Sequence, residues 1–156
     1  MNLNNAPSAP TSSNPSYCQG ATPTALSATA DGGNSLAWYT AAPNSPSASG
    51  ATAAGSTPTP STSSVGTTSY FVSQTSGSNG CESQLTKVDV LVNGTPDAPV
   101  ATYPGAYCED EVASQLTATA TGGNTLTWYT DPTSNAGQTT TAPTPSTVSS
   151  LSLIHI

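Results

Sequence analysis

The stretch LSATADGGNSLAWYT, Leu26 to Thr40, returns ninety residues later as LTATATGGNTLTWYT, Leu116 to Thr130. Eleven of the fifteen positions are identical, and the four exchanges are all between Ser, Ala, Asp and Thr. Within the first copy, Leu26, Ala28 and Ala30 alternate onto one side, and Leu36 and Trp38 do the same after the interruption Asp31-Gly32-Gly33-Asn34. Alternation with period two is the signature of a half-buried strand, and the Gly-Gly-Asn run supplies the positive-φ residues of a tight connection. The two runs therefore read as a β-hairpin.

The repeat extends outward in both directions. Tyr17-Cys18 recurs as Tyr107-Cys108 at the same displacement, and Pro58 to Thr62 (PTPST) recurs at Pro143 to Thr147, displaced by 85. Five residues are thus lost between the Trp-Tyr-Thr run and the PTPST run, the kind of change surface loops accept. Pro7-Ser8-Ala9-Pro10 matches Pro96-Asp97-Ala98-Pro99 and marks the seam between copies. Residues 1–9 read as the tail of a preceding copy plus its seam, 10–95 as a complete module, and 96–150 as a second, truncated one.

Further runs complete the module. Thr67 to Gln74 puts Tyr70 and Val72 together with Phe71 opposite, Gly77 to Gly80 makes a turn, and Leu85 to Val92 sets Val88, Val90 and Val92 on one face. Ala41 to Ser64 is rich in Pro, Ser, Ala and Gly and reads as loop or short edge strand. No segment carries a 3.6-residue apolar period. Short strands punctuated by turns predict an all-β chain of tandem immunoglobulin-like sandwiches, with Leu26, Leu36, Trp38, Tyr70, Val72, Val88, Val90, Leu116, Leu126 and Trp128 in the cores. A disordered stalk of the same composition is the competing reading, and the alternating runs argue against it.

Charge excludes whole classes of function. The 156 residues hold one Lys or Arg (Lys87) against eight Asp or Glu, a formal net charge of −7. One cation cannot neutralise a row of phosphates, so nucleic acid is not a partner, and an anionic membrane surface repels such a chain. No stretch is apolar and long enough to span a bilayer. MNLNNAPSAP has neither the basic nor the apolar region of a signal peptide, so for an exported protein the true N-terminus is expected upstream. Leu151 to Ile156, LSLIHI, breaks the composition and resembles a translated sequencing-library adapter. It is set aside as a scar, and His155 receives no role.

Three cysteines make an odd count that the repeat explains. Cys18 opens the complete module and Cys81 follows its Tyr-Phe-Val strand, so these two are expected to form a disulfide. Cys108 is the copy of Cys18, with its partner beyond the truncation. That bridge places the protein in an oxidising compartment outside the cytoplasm. No paired Cys-x-x-Cys and no usable His support a metal site, and no cofactor is expected. Glu109-Asp110-Glu111 offers carboxylates for calcium in one copy, but Gln19-Gly20-Ala21 stands there in the other, so a solvated acidic turn is expected. Trp38 and Trp128 follow a Leu on the same face and read as core, whereas Tyr39 and Tyr129 point the other way and are the candidate ligand contacts. Nucleophilic catalysis lacks a base beside any Ser or Cys, and no enzymatic role is expected. Lys87 offers an isopeptide donor, without flanking support.

With YCQG, LSATADGGNSLAWYT, PTPST, SYFVSQ and NGCES in one order, the chain resembles the bacterial Ig-like repeats of very large exported proteins of the Bacteroidota. The resemblance covers nearly everything from Pro7 to Ser150. It implies a secreted or cell-surface protein, often exported through the type IX system, in which the modules are non-catalytic spacers or adhesin stalks. Partners implied are neighbouring modules of the same chain and, for an adhesive module, a cell-surface glycan or protein. The alternative is a carbohydrate-binding module beside a secreted enzyme.

Overall fold

The structure is a computed structural model that describes residues 4–43, 46–131, 133 and 137–148. Nine strands follow one another among the described residues: β1 (Thr11–Ser12), β2 (Ser16–Cys18), β3 (Ala28–Thr29), β4 (Ser35–Ala41), β5 (Thr52–Ala53), β6 (Gly66–Thr75), β7 (Thr86–Asn93), β8 (Val100–Thr102) and β9 (Thr117–Thr119). There is no helix among the described residues. The chain divides into two compact units, residues 1–95 and 96–156.

In the first unit β2, β7, β6, β4 and β5 lie side by side in that order, and β1 pairs with β3 in a separate two-stranded sheet. All contacts in the larger sheet are antiparallel except β2 against β7. Register sets the faces: Trp38 lies opposite Val72, and Tyr70 opposite Val88. These inward residues meet Leu26 from the other layer, so Leu26, Trp38, Val72, Val88 and Val90 form the buried core, with Tyr17, Ala28, Leu36, Ala54 and Tyr70 packed against it. Val72, Val88 and Val90 are wholly excluded from solvent, which is worth about 1.5–3 kcal/mol each relative to exposure. The result is an all-β sandwich.

The expected hairpin between residues 25–30 and 35–40 does not form. β3 pairs with β1, Thr11 opposite Thr29, while β4 joins β6 and β5. The Asp31–Asn34 turn, closed by Asn34 N–H donating to the Asp31 carbonyl at 3.1 Å, carries the chain from one layer to the other. The reason is burial. An arch turns the Leu26/Ala28 face and the Leu36/Trp38 face toward each other across the core, whereas a hairpin would lay both on one side of a single sheet. The β6–β7 turn packs on this arch so closely that a Cβ on Gly77 would run into the Gly33 carbonyl oxygen.

The PTPST segment holds the smaller layer in place without being a strand. Leu26 N–H donates to Pro58 O at 2.9 Å, Gly20 N–H to Thr62 O at 2.9 Å, and Thr62 Oγ1–H to Ala21 O at 2.6 Å. In the second unit Leu116 N–H donates to Pro143 O, Asp110 N–H to Thr147 O, and Thr147 Oγ1–H to Glu111 O. The repeat in sequence is thus a repeat of individual hydrogen bonds. β8 and β9 pair with Val100 opposite Thr119 and Ala101 opposite Ala118, the counterpart of β1 with β3. Trp128 exchanges backbone hydrogen bonds with Thr139 on both its polar groups, and Trp38 O accepts from Ala54 N–H at the matching place.

Candidate functional site

The outward face of β4, β6 and β7 carries the reactive side chains of the first unit. Tyr39 lies across from Phe71, Ala37 from Ser73, Phe71 from Lys87 and Ser69 from Asp89. Strand alternation alone places them together, because each is one residue removed from an inward-facing core position. Tyr39 is half-buried, and its hydroxyl donates to Glu82 Oε1 at 2.5 Å. Ser73, fully buried beneath it, donates its own hydroxyl to the same oxygen. Burial, and then the hydrogen bond to Glu82, holds the Tyr39 phenol above its ordinary pKa. Asp89 is pulled the other way: Ser69 Oγ–H at 2.6 Å and the Lys87 ammonium at 2.9 Å keep its carboxyl below the usual range. Beside Glu82 lies a shallow cavity of about 340 Å³ whose lining includes Ser8, Ser47 and Gln84.

Each acidic side chain of this face is committed to an internal partner. Glu82 ties the start of the β7 segment to β4 and β6, and Asp89 holds Ser69 and Lys87. The candidate contact Tyr39 uses its hydroxyl proton within the module, on Glu82. Tyr129 is half-buried in the second unit. Lys87 pairs with Asp89 across solvent, an exposed contact of little energetic weight.

Of the residues expected in the cores, Leu26, Trp38, Val72, Val88, Val90 and Trp128 are buried, and Leu36, Tyr70, Leu116 and Leu126 are half-buried. The expected disulfide between Cys18 and Cys81 is not borne out by this structure. Cys18, Cys81 and Cys108 are all free, with Cys18 and Cys108 exposed and Cys81 half-buried. Cys18 stands beside Asn93 at the far end of β7, whereas Cys81 precedes that strand next to the Thr75–Glu82 bridge. The eight residues of β7 separate its ends by roughly 23 Å at ordinary strand rise, and a disulfide needs Cα atoms within about 7 Å. The compartment consequently does not follow from the cysteines. Among Glu109, Asp110 and Glu111, all exposed, Glu111 folds its carboxylate back onto Cys108 N–H at 2.8 Å. Among the described residues no group of three or more His, Cys, Asp or Glu is placed to hold a metal. The expectation for Leu151 to Ile156, His155 included, lies outside the described residues.

One residue that the pattern did not single out organises the first unit. Gln74 is fully buried and uses its whole side-chain amide. Oε1 accepts from Asp31 N–H at 2.7 Å and Asn34 Nδ2–H at 3.1 Å, while Nε2 donates to Ser8 O at 2.7 Å and Asp31 Oδ2 at 2.9 Å. Ser8 Oγ–H adds a bond to the same Asp31 oxygen at 2.7 Å. The inter-layer arch, the seam segment and β6 are thereby joined through one amide. The available signal was its position: residue 74 follows Tyr70 and Val72 on the inward face, where alternation calls for an apolar side chain.

Two further contacts recur between the units. Tyr17 Oη lies 3.1 Å from Thr24 Oγ1 and accepts from Thr24 N–H at 3.4 Å. Tyr107 Oη donates to Ser114 Oγ and accepts from Ser114 N–H, both at 3.0 Å. In each unit a tyrosine hydroxyl thus fastens the loop that leads into the Leu-bearing strand.

Comparison with known families agrees with this architecture. The family described as "Ig-like domain CHU_C associated" matches residues 7–93, which takes in the seam, every strand from β1 to β7 and the PTPST clasp. No curated protein matches the chain. The match covers more than half of the 156 residues, and the sandwich is the fold that family describes: the chain belongs to the CHU_C-associated Ig-like domain family.

Proposed function

We propose that the chain is a segment of a tandem array of Ig-like modules that serves as a non-catalytic spacer or adhesin stalk of an exported, surface-attached protein. The observation that carries this reading is the reuse of one construction. The PTPST clasp, the tyrosine-fastened loop and the outer-layer strand pair are built from corresponding hydrogen bonds in both units. An array selected for a mechanical role needs units that fold alike, and it needs no cleft. The chemistry-bearing side chains fit that role, since Asp31, Glu82, Asp89 and Glu111 are each bound to neighbours within their own unit. The extracellular setting rests on the family and on a surface made soluble by Ser and Thr rather than charge. Neighbouring modules are the first partners of such a segment.

The carbohydrate-binding alternative draws on Tyr39 and Tyr129, and the commitment of the Tyr39 hydroxyl to Glu82 weighs against it. The spacer reading is tested by small-angle scattering from arrays of one, two and four copies of residues 7–95. The maximum dimension is expected to grow by a constant increment per copy. A radius of gyration that instead follows the compact-globule scaling, about 2.2·N^0.38 Å, would sink the reading.

A further inference from the structure

Residues 4–10 enter the first unit along a path fixed by that unit's own groups. Asn5 O accepts from Asn79 Nδ2–H at 3.2 Å, Ser8 O from Gln74 Nε2–H at 2.7 Å and Pro10 O from Thr86 Oγ1–H at 2.5 Å. At the head of this segment the Asn4 carbonyl oxygen lies 3.9 Å from Cys81 Sγ. With Pro7-Ser8-Ala9-Pro10 set on Pro96-Asp97-Ala98-Pro99, Asn4 falls on Asn93, the last residue of β7. Cys18 faces Asn93 across the parallel β2–β7 pairing, and the Asn93 carbonyl accepts from Gln19 N–H at 2.7 Å. The carbonyl that precedes a seam therefore has Cys18 beside it from its own module and Cys81 beside it from the module that follows. Its oxygen carries two lone pairs and accommodates both neighbours. Neither thiol is closed off, since Cys18 is exposed and Cys81 half-buried.

We propose that in a tandem pair of this module Cys18 of the leading copy forms a disulfide with Cys81 of the copy that follows, a covalent brace across the joint. The inference rests on the tandem-array reading above and adds how successive copies are fastened. The co-reactant is a small-molecule disulfide of the glutathione class. One cysteine thiolate attacks it, releasing one glutathione thiol and leaving a mixed disulfide, and the second thiolate then displaces the other glutathione. Two protons and two electrons pass from the protein to the reagent, and one S–S bond forms. A bridge requires Cα atoms within about 7 Å, and the contacts of both cysteine segments with one carbonyl oxygen are on that scale. The same pairing accounts for β7, whose length holds the two cysteines of any one module apart while carrying each toward a joint.

The test extends the full chain by one copy, with residues 7–93 placed directly ahead of residue 5, so that Asn93 of the added copy stands where Asn4 does. After equilibration with glutathione disulfide, intact mass and peptide maps are read without reduction. Expected are a two-proton mass deficit, a linked peptide pair joining the added copy's Cys18 to the chain's Cys81, and loss of alkylation at those two thiols alone. Cys18→Ser in the added copy is expected to abolish the bridge, and Cys81→Ser in the added copy to leave it intact. A bridge within one copy, a bridge between two molecules, one that survives the Cys18→Ser change, or none at all would each overturn the proposal. Scattering from the reduced protein separates this outcome from the array reading: a constant gain in maximum dimension per copy without the bridge sinks the disulfide alone.

Discussion

Replacing Gln74 tests the claim that one buried amide holds the first unit's layers in register. Gln74→Ala removes four side-chain hydrogen bonds and leaves a void at a fully buried position. Neutral bonds of this kind contribute about 0.5–1.5 kcal/mol each, and one to a carboxylate about 1.5–3. Ser8 and Asp31 lie at the surface and regain water when the amide is gone, so the net loss is about 2–4 kcal/mol. A unit of this length has about 5–14 kcal/mol in all, so the loss is a large fraction. Gln74→Glu is the sharper probe because it keeps the volume and replaces the donor facing Asp31 Oδ2 and Ser8 O. A buried carboxyl against a carboxylate has a folded-state pKa above its unfolded value. The variant's stability is therefore closest to wild type at low pH and falls as pH rises through the folded value. The assay is urea unfolding of residues 1–95, where Trp38 is the sole tryptophan, at pH 4 and pH 7. A Glu variant within about 0.5 kcal/mol of wild type at pH 7, the spread of ordinary surface changes, would refute the network as the source of register. A Glu variant with no stability gain on acidification would refute it equally.

Three other outcomes follow from the geometry. Asp110 is the sole non-glycine residue at positive φ among the described residues, at 62°, and its counterpart Gly20 sits at 77°; Asp110→Gly is expected to stabilise the second unit by about 0.5–1 kcal/mol, measured by the shift in its urea midpoint. Tyr39→Phe is expected to cost about 0.5–1 kcal/mol at neutral pH. Because the phenol's pKa is raised in the folded state, its contribution is complete below the ordinary value of 10.0 and lost as pH rises through the folded one; the wild type should weaken above pH 10 more steeply than the Phe variant in denaturant titrations. All three cysteines are free, so intact mass is expected not to change on reduction, and Cys18 and Cys108 should alkylate in the native protein. A two-proton mass deficit with protected thiols would contradict the register of β2 and Cys81 around β7.

The sequence was informative wherever structure depends on near neighbours along the chain. Alternation at Thr67–Gln74 and Leu85–Val92 marks strands because side chains two residues apart share a face whatever the partner strand is, and β6 and β7 occupy those runs. The repeat identified corresponding contacts in the two units because equal local sequence makes equal local hydrogen bonds, as at Leu26 with Pro58 and Leu116 with Pro143. The inward direction of Trp38 was readable for the same reason.

What separated sequence from structure was every question of who meets whom across the core. Asp31-Gly32-Gly33-Asn34 permits a hairpin or an arch with nearly equal ease, and the need to bury two apolar faces against each other selects the arch. Cys18 and Cys81 are each placed by local strands, yet the parallel docking of β2 along β7 puts them at opposite ends of the sheet. Gln74 looks like an interruption of an apolar face until the turn at Asp31 and the seam at Ser8 are brought over it. Composition and periodicity by themselves determined an all-β, acidic, repeating chain, because they report local conformation and solvation. Tertiary structure alone decided layer pairing and the buried amide hub, because each depends on contacts between residues tens of positions apart.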